Sequence, residues 1–251
     1  MESFIGVFDS GIGGISVLRE LVKAMPQENF LYYGDSANAP YGTKTPETVK
    51  ALTLQAAEML FARGAKALVV ACNTATAVAI ATLRETYPDK VIIGIEPAIK
   101  LAYDHFPHSR VGVLATVLTL QEEKFTHLSA NFPQMDITPI PLPGLVELIE
   151  AGKDKQEIEA FLAPTLAPYK DTLDAAVLGC THYPLISRCI QTLLGEKTVL
   201  LDGAKGTAQQ TKRRLEQEAL LGGDGWVQME NSSPDKTILA RCMKLLEASD
   251  L

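Results

Sequence analysis

Short apolar runs alternate with longer stretches of helical periodicity along most of this chain. Uninterrupted apolar runs are typical of strands buried on both faces of a parallel sheet, and their alternation with helices is typical of α/β proteins. The predicted strands cover residues 4–8, 30–33, 67–71, 91–95, 110–114, 136–140, 175–178 and 198–201. The predicted helices cover residues 15–24, 45–63, 76–87, 97–105, 121–130, 144–152, 155–169, 187–194, 207–218 and 236–247.

The two halves of this alternation are alike. Gly6 and Gly112 occupy matching strand patterns 106 positions apart, and Cys72 and Cys180 end matching patterns 108 positions apart. Recurrence in order at nearly one spacing indicates an internal duplication. We therefore predict an α/β fold of two pseudo-symmetric lobes, each a mainly parallel sheet flanked by helices, with the active site in the interlobe cleft. The first lobe would comprise residues 1–96 plus 207–251, and the second lobe residues 97–206.

Cys72 and Cys180 are the strongest candidates for chemistry. Each ends a buried strand and precedes small polar residues at a strand-to-helix turn, and ligands of parallel sheets bind just beyond the carboxyl ends of the strands. Amides and the helix dipole at such a turn can lower a thiol pKa. His182, two residues after Cys180, is placed to orient or protonate that thiol or the substrate. Cys189 and Cys242 are interpreted as small buried hydrophobes.

Two polar loops follow other predicted strands. Residues 9–14 (DSGIGG) begin with Asp9, an acid placed to orient an ammonium group or a base. This loop lacks the GxGxxG spacing and the lysine of nucleotide sites, and a capped glycine turn is its alternative interpretation. Residues 35–44 have the character of a binding loop, although a surface turn would also explain them. Glu150 is either a site acid or a surface acid at a helix end.

Two thiols on opposite sides of one site suit a particular reaction. Disulfide exchange would normally use a CxxC pair, which the chain lacks. A stereoinverting proton transfer fits better, because one thiolate can remove a proton from one face of a carbon while the opposite thiol returns one to the other face. Substrate and product are then mirror images, which a nearly symmetric pair of groups matches.

Composition excludes several other classes of function. The net charge of −7 argues against nucleic-acid binding, which needs clustered basic residues. The four cysteines show no zinc-ligand spacing, so no metal is expected. The N-terminus lacks the features of a signal peptide, and no apolar run approaches the ~18 residues of a membrane span. We therefore expect a cytoplasmic protein with reduced thiols and no membrane partner.

Five motifs together resemble the glutamate racemase family, in the aspartate/glutamate racemase superfamily. They are residues 8–14 (FDSGIGG), 34–35 (GD), 40–42 (PYG), 71–75 (ACNTA) and 178–184 (LGCTHYP). The resemblance runs from near residue 4 to about residue 210. It implies a bacterial enzyme that supplies D-glutamate for peptidoglycan, with two pseudo-symmetric α/β lobes, no cofactor and a homodimeric assembly.

The resemblance also implies roles for individual residues. Cys72 and Cys180 would be the acid/base pair, assisted by Asp9 and His182 respectively, and Glu150 matches an acid that assists in some members of the family. The residues that would hold the amino acid are Asp9, Ser10, Pro40, Tyr41, Gly42, Cys72, Asn73, Thr74, Thr116, Cys180, Thr181 and His182.

The chain departs from the family pattern in three places: residues 117–121, residues 202–207 and the tail after residue 222. These departures concern helix contacts, lobe packing and assembly rather than the chemistry. Two alternatives to a glutamate racemase remain. One is a racemase of the same superfamily that acts on aspartate or another amino acid, because pocket shape is not visible in the sequence. The other is a two-lobed amino-acid binding protein without catalysis.

Overall fold

The computed structural model describes residues 3–248, and no helix in that range is both long and apolar enough to span a bilayer. The described strands are β1 (Phe4–Asp9), β2 (Phe30–Gly34), β3 (Ala65–Val70), β4 (Val91–Gly94), β5 (Arg110–Ala115), β6 (Asp136–Pro141), β7 (Ala175–Leu178), β8 (Val199–Asp202) and β9 (Val227–Asn231). The described α-helices are α1 (Ile15–Ala24), α2 (Pro46–Ala62), α3 (Asn73–Thr86), α4 (Ile99–His105), α5 (Val117–Gln121), α6 (Glu123–Ala130), α7 (Leu145–Glu150), α8 (Lys155–Leu166), α9 (Ser187–Leu194), α10 (Ala204–Gln217) and α11 (Lys236–Glu247).

These strands form two parallel sheets with the same topology. The first has the order β4-β3-β1-β2-β9, and the second has the order β8-β7-β5-β6. Strands β5, β6, β7 and β8 occupy in the second sheet the places that β1, β2, β3 and β4 occupy in the first, and β9 is an additional edge strand of the first sheet. All described strand pairs are parallel. The predicted α/β class and the pseudo-symmetric pair of sheets are therefore confirmed.

Each sheet is covered by apolar side chains on both faces, as continuous apolar strands require. In β1, Ile5 and Val7 pack into one core, whereas Phe4 and Phe8 pack into a second core on the opposite face. The second sheet divides its residues in the same way between two cores. The central strands are thus held rigidly, and their carboxyl ends provide fixed positions for side chains.

The main difference from the predicted elements is β9, since no strand was predicted between the helices 207–218 and 236–247. This strand pairs with β2 at the edge of the first sheet and alternates polar with apolar residues, so it lacks the apolar run of a central strand. Arg63 and Glu230 form a two-point ion pair beside it. The predicted helix 121–130 corresponds to α6, and the short helix α5, which was not predicted, precedes it and ends at Gln121.

The strands of each sheet fall within the corresponding predicted lobe. Strands β1–β4 and β9 lie within residues 1–96 and 207–251, and β5–β8 lie within 97–206. Helix α10, which packs on α1 and β4 of the first sheet, begins at Ala204. The lobe boundaries themselves stay a prediction.

Candidate active site

Four of the predicted site residues lie at the carboxyl ends of the central strands of the two sheets. Asp9 is the last residue of β1, and Cys72 directly precedes α3 after β3. In the second sheet, Thr116 follows β5 and Cys180 follows β7. Cys72 and Cys180 occupy equivalent positions because β3 corresponds to β7, and Thr116 is equivalent to Ser10, the residue after Asp9, because β1 corresponds to β5. The duplicated topology thus presents four polar side chains from matching turns.

Hydrogen bonds between the two halves bring these turns together. Thr181 Oγ1 donates to Asp9 Oδ1 over 3.1 Å. The hydroxyl oxygens of Thr74 and Thr116 lie 3.0 Å apart. Ser16, in α1, donates to the backbone oxygen of Thr181 over 3.2 Å. All of these groups are buried, so the carboxyl ends of the two sheets enclose a shared polar centre.

Cys180 belongs to a line of three interacting side chains. Its Sγ lies 3.7 Å from His182 Nδ1, and His182 Nε2 lies 2.6 Å from Glu150 Oε1. The backbone N–H of Ile12 also donates to Glu150 Oε1, over 2.8 Å. Burial alone would lower the pKa of His182, but its bonds to Cys180 and Glu150 raise that pKa well above its usual value. Burial alone would raise the pKa of Glu150, but its bond to His182 brings it below its usual value. The pair is therefore an imidazolium and a carboxylate.

Cys72 has different surroundings. It is the N-cap of α3, and its Sγ accepts a hydrogen bond from Ala75 N–H at 3.4 Å. The thiol donates to Ser10 Oγ, also at 3.4 Å. Burial and then the nearby charge of Asp9 raise the pKa of Cys72 to about 12. Cys72 is consequently a protonated thiol at neutral pH, and its thiolate, once formed, is a strong base.

Asp9 is a fully buried carboxylate between the glycine loop and the second half of the site. Its Oδ2 accepts from Gly11 N–H at 2.9 Å, and its Oδ1 accepts from Thr181. Burial raises the pKa of Asp9, although the positive charge of His182 opposes the shift. Ionisation of this buried carboxyl is unfavourable for the folded state. The resulting negative charge raises the pKa of Cys72 and so makes the Cys72 thiolate a stronger base.

Asp9→Asn should therefore stabilise the protein while lowering its activity. Because the folded-state pKa of Asp9 is raised, the native state loses stability as pH rises through that pKa. The variant should thus unfold at a higher urea midpoint than the original at about pH 7.5, and the gain should shrink toward about pH 4.5. We expect kcat to fall by up to about 10²-fold. Asp89→Asn, at an exposed position, is the matched control and should change neither quantity. A lower midpoint for Asp9→Asn at neutral pH would contradict this account.

Asn73 stands out because its side chain is buried and neither its oxygen nor its nitrogen has a hydrogen-bond partner. Buried amides in folded proteins are nearly always paired, so an unpaired one beside Cys72 is available for a ligand. Three threonine hydroxyls, one of them on the next residue in the chain, form a cluster: Thr119 Oγ1 is 2.9 Å from Thr116 Oγ1 and 3.2 Å from Thr74 Oγ1.

The loop at residues 40–42 also reaches this region. Tyr41 is buried, and its hydroxyl donates to Asp35 Oδ2 over 2.7 Å. Gly42 faces Thr116 so closely that an added Cβ would lie 2.7 Å from the threonine Cβ. Pro40 lies two residues before Gly42, and the peptide bond between Ala39 and Pro40 is cis. This loop therefore reaches Thr116 through Gly42, whereas the Tyr41 hydroxyl is bonded to Asp35.

Three contributors were not singled out by the sequence analysis: Asp35, Thr119 and Ser16. Asp35 belongs to the loop 35–44 that was noted as a whole, and Thr119 lies three residues after Thr116, a spacing typical of a helix cap. Ser16 gave no signal, since a serine in an apolar helix is common. Within residues 3–248, no group of three or more His, Cys, Asp and Glu side chains is arranged to hold a metal ion.

Comparisons with known proteins found similar sequences and similar folds. A family model described as Asp/Glu/hydantoin racemase matches residues 5–211. A glutamate racemase of Clostridium perfringens is 47% identical over 249 residues, covering 97% of this chain and 96% of that protein. The crystal structure of a glutamate racemase isoform from Bacillus anthracis matches with a TM-score of 0.88 at 29% identity, covering 98% of this chain and 95% of that one.

A third relative was crystallised with ligands. Escherichia coli glutamate racemase, in complex with L-glutamate and the activator UDP-MurNAc-Ala, matches with a TM-score of 0.85 at 30% identity, covering 98% of this chain and 96% of that one. The family resemblance predicted from the five motifs is confirmed by these matches.

Proposed function

Because this chain belongs to the Asp/Glu/hydantoin racemase family, we propose that it interconverts L- and D-glutamate by a two-base proton transfer at the α-carbon. The observation that carries the mechanism is the pair Cys72 and Cys180, delivered to one polar centre from equivalent strand ends and given unlike partners. The substrate is proposed from the relatives, which are named glutamate racemases, one of them crystallised with L-glutamate.

In the first half of the reaction, Cys180 as a thiolate removes the α-proton from one enantiomer. The imidazolium of His182, held by Glu150, directs Nδ1–H toward that sulfur and stabilises its negative charge. The Cys72 thiol then donates its proton to the opposite face of the α-carbon. The enzyme is left with a Cys180 thiol and a Cys72 thiolate, which is the state that accepts the other enantiomer.

The α-hydrogen of an amino acid is very weakly acidic, so the charge that develops on removal of the proton must be stabilised. The unpaired amide of Asn73 supplies donors at the N-terminus of α3, where backbone N–H groups also favour an anion. The hydroxyls of Ser10, Thr74 and Thr181 lie around the same centre. These groups would bind the α-carboxylate and its carbanion or enediolate form.

A proton-exchange experiment tests the function. L-glutamate and, separately, L-aspartate are incubated with the protein in deuterated buffer, and loss of the α-proton signal is followed by NMR while circular dichroism follows loss of optical activity. We expect the α-proton of glutamate to exchange as the sample becomes an equal mixture of enantiomers. Faster exchange with aspartate would make the protein an aspartate racemase. Glutamate binding without exchange would make it a binding protein.

We further propose that the protein is a homodimer in the cytoplasm and that the D-glutamate it produces is used in peptidoglycan synthesis. The support is the family resemblance, not any feature of the described residues. Sedimentation velocity should show a single species with the mass of a dimer, and a species with the mass of one chain would contradict the homodimer.

A further inference from the structure

The C-terminal helix reaches the candidate site through one arginine. Arg241, in α11, donates from Nη1 to Glu150 O over 2.6 Å and from Nη2 to Ile149 O over 2.9 Å. These carbonyls end α7, and the last carbonyls of a helix have no partner within it. The guanidinium also places positive charge at the negative end of the helix dipole. Helix α11 packs on the first sheet and α7 on the second, so the contact joins the two halves.

Helix α11 is a rigid base for this contact. Cys242, next to Arg241, is fully buried in the core of the first sheet. At the C-terminal end of the helix, Arg19 Nη2 donates to Ala248 O over 2.7 Å. On the other side, Gly152 has a φ of +70°, and a Cβ there would lie 3.4 Å from the Arg241 guanidinium carbon. The guanidinium therefore occupies a fitted position over the end of α7.

The other side of Glu150 is the line of groups that leads to Cys180. Helix α7 has only six residues, so the position of its last residue depends on what holds its end. The Glu150 carboxylate accepts from Ile12 N–H at 2.8 Å and contacts His182 Nε2 at 2.6 Å, and the same ring faces Cys180. A shift of the α7 end would lengthen both carboxylate contacts together.

We propose that Arg241 is a positioning residue for proton transfer: by clamping the end of α7, it holds the Glu150 carboxylate against His182 and so keeps the imidazole aligned with Cys180. The inference rests on the proposed racemase function, since its effect is measured on that reaction. It gives a part in the chemistry to α11, which lies beyond residue 211, where the family match ends.

The charges around Glu150 set the expected pH effect. Burial raises the pKa of Glu150, but the bond to His182 and the charge of Arg241 bring it below its usual value. The acidic groups near enough to interact with Glu150 are Asp9, Tyr32 and Cys242. Removing the arginine should raise the pKa of Glu150. Because Glu150 must be ionised to hold the imidazolium, activity should then be lost at a higher pH on the acid side of the profile.

The test compares Arg241→Met and Arg241→Lys with Lys244→Met, which removes a positive charge from an exposed position of the same helix. We expect Arg241→Met to lower kcat by at least about fivefold and by up to about 10²-fold, with a much smaller change in KM. Arg241→Lys keeps the charge but replaces the two guanidinium nitrogens, each of which bonds one carbonyl, with a single ammonium nitrogen, so its loss should be smaller and in the same direction. Lys244→Met should leave kcat unchanged.

Three further measurements separate positioning from simple loss of structure. The acid limb of kcat should move to higher pH in Arg241→Met, and the α-deuterium isotope effect should rise for only one enantiomer, the one that Cys180 deprotonates. In a Glu150→Gln background, Arg241→Met should cause little further loss, because the arginine acts through that carboxylate.

An unchanged pH profile with equal isotope effects for the two enantiomers would overturn the inference, as would additive losses in the double variant. Should Arg241→Met fail to fold, Arg241→Lys with no change in kcat or pH profile would overturn it equally. These outcomes are distinct from failure of the proposed function, which would be seen as absence of glutamate racemisation by the unmodified protein.

Discussion

Replacing either Cys72 or Cys180 with alanine is expected to lower kcat for glutamate racemisation by at least about 10³-fold, with a far smaller effect on KM. Each cysteine serves one face of the α-carbon, so removal of either one interrupts the transfer in both directions. Substrate contacts through Asn73 and the threonines remain in both variants. Cysteine-to-serine variants should also be severely impaired, because an alcohol is far less acidic than a thiol.

The matched control is Cys189→Ala, since Cys189 is as buried as the other two but lies within α9 and not at the end of a strand. It should lose stability and retain kcat. Circular dichroism of L-glutamate and D-glutamate samples gives the rate in each direction. Racemisation at the original rate by either the Cys72→Ala or the Cys180→Ala variant would rule out the two-base mechanism.

Gly13→Ala is the substitution outside the cysteines with the largest expected effect, a loss of about 10²-fold in kcat. A Cβ at this position would lie 2.5 Å from His182 Nδ1 and 2.7 Å from Thr181 Oγ1. The imidazole would have to move, and Nδ1 is the atom that faces Cys180. A methyl group on the glycine loop of one half would thus disturb the histidine of the other half.

Gly206→Ala is the control for the added methyl group. Gly206 lies within α10, and a Cβ there would meet no atom within 4 Å. This variant should keep full activity and gain up to about 1 kcal/mol of unfolding free energy, because alanine favours a helix over glycine. Urea denaturation and the racemisation assay applied to both variants provide the comparison. Equal kcat for Gly13→Ala and Gly206→Ala would show that activity does not depend on the close approach of Gly13 to His182 and Thr181.

Much of the architecture could be predicted from the sequence because the central strands are buried on both faces. Such strands must be continuously apolar, and this pattern located β1, β3, β5 and β7 to within about two residues. The edge strand β9 was missed for the same reason, since its solvent-facing residues are polar. Helix α3 begins earlier than predicted because the Cys72 side chain itself caps it.

By itself, the sequence determined the two cysteines, their equivalent places in a repeated strand order and the family to which their motifs belong, because short-range patterns encode strands, turns and caps. The family resemblance already implied different helpers for the two cysteines, but only the tertiary structure decided what surrounds each thiol. Burial and the charge of Asp9 keep Cys72 protonated, whereas His182 and Glu150 support Cys180. Asp9 and Glu150 lie far along the chain from the cysteines that they affect, and their meeting depends on how the two sheets face each other, which no local pattern specifies.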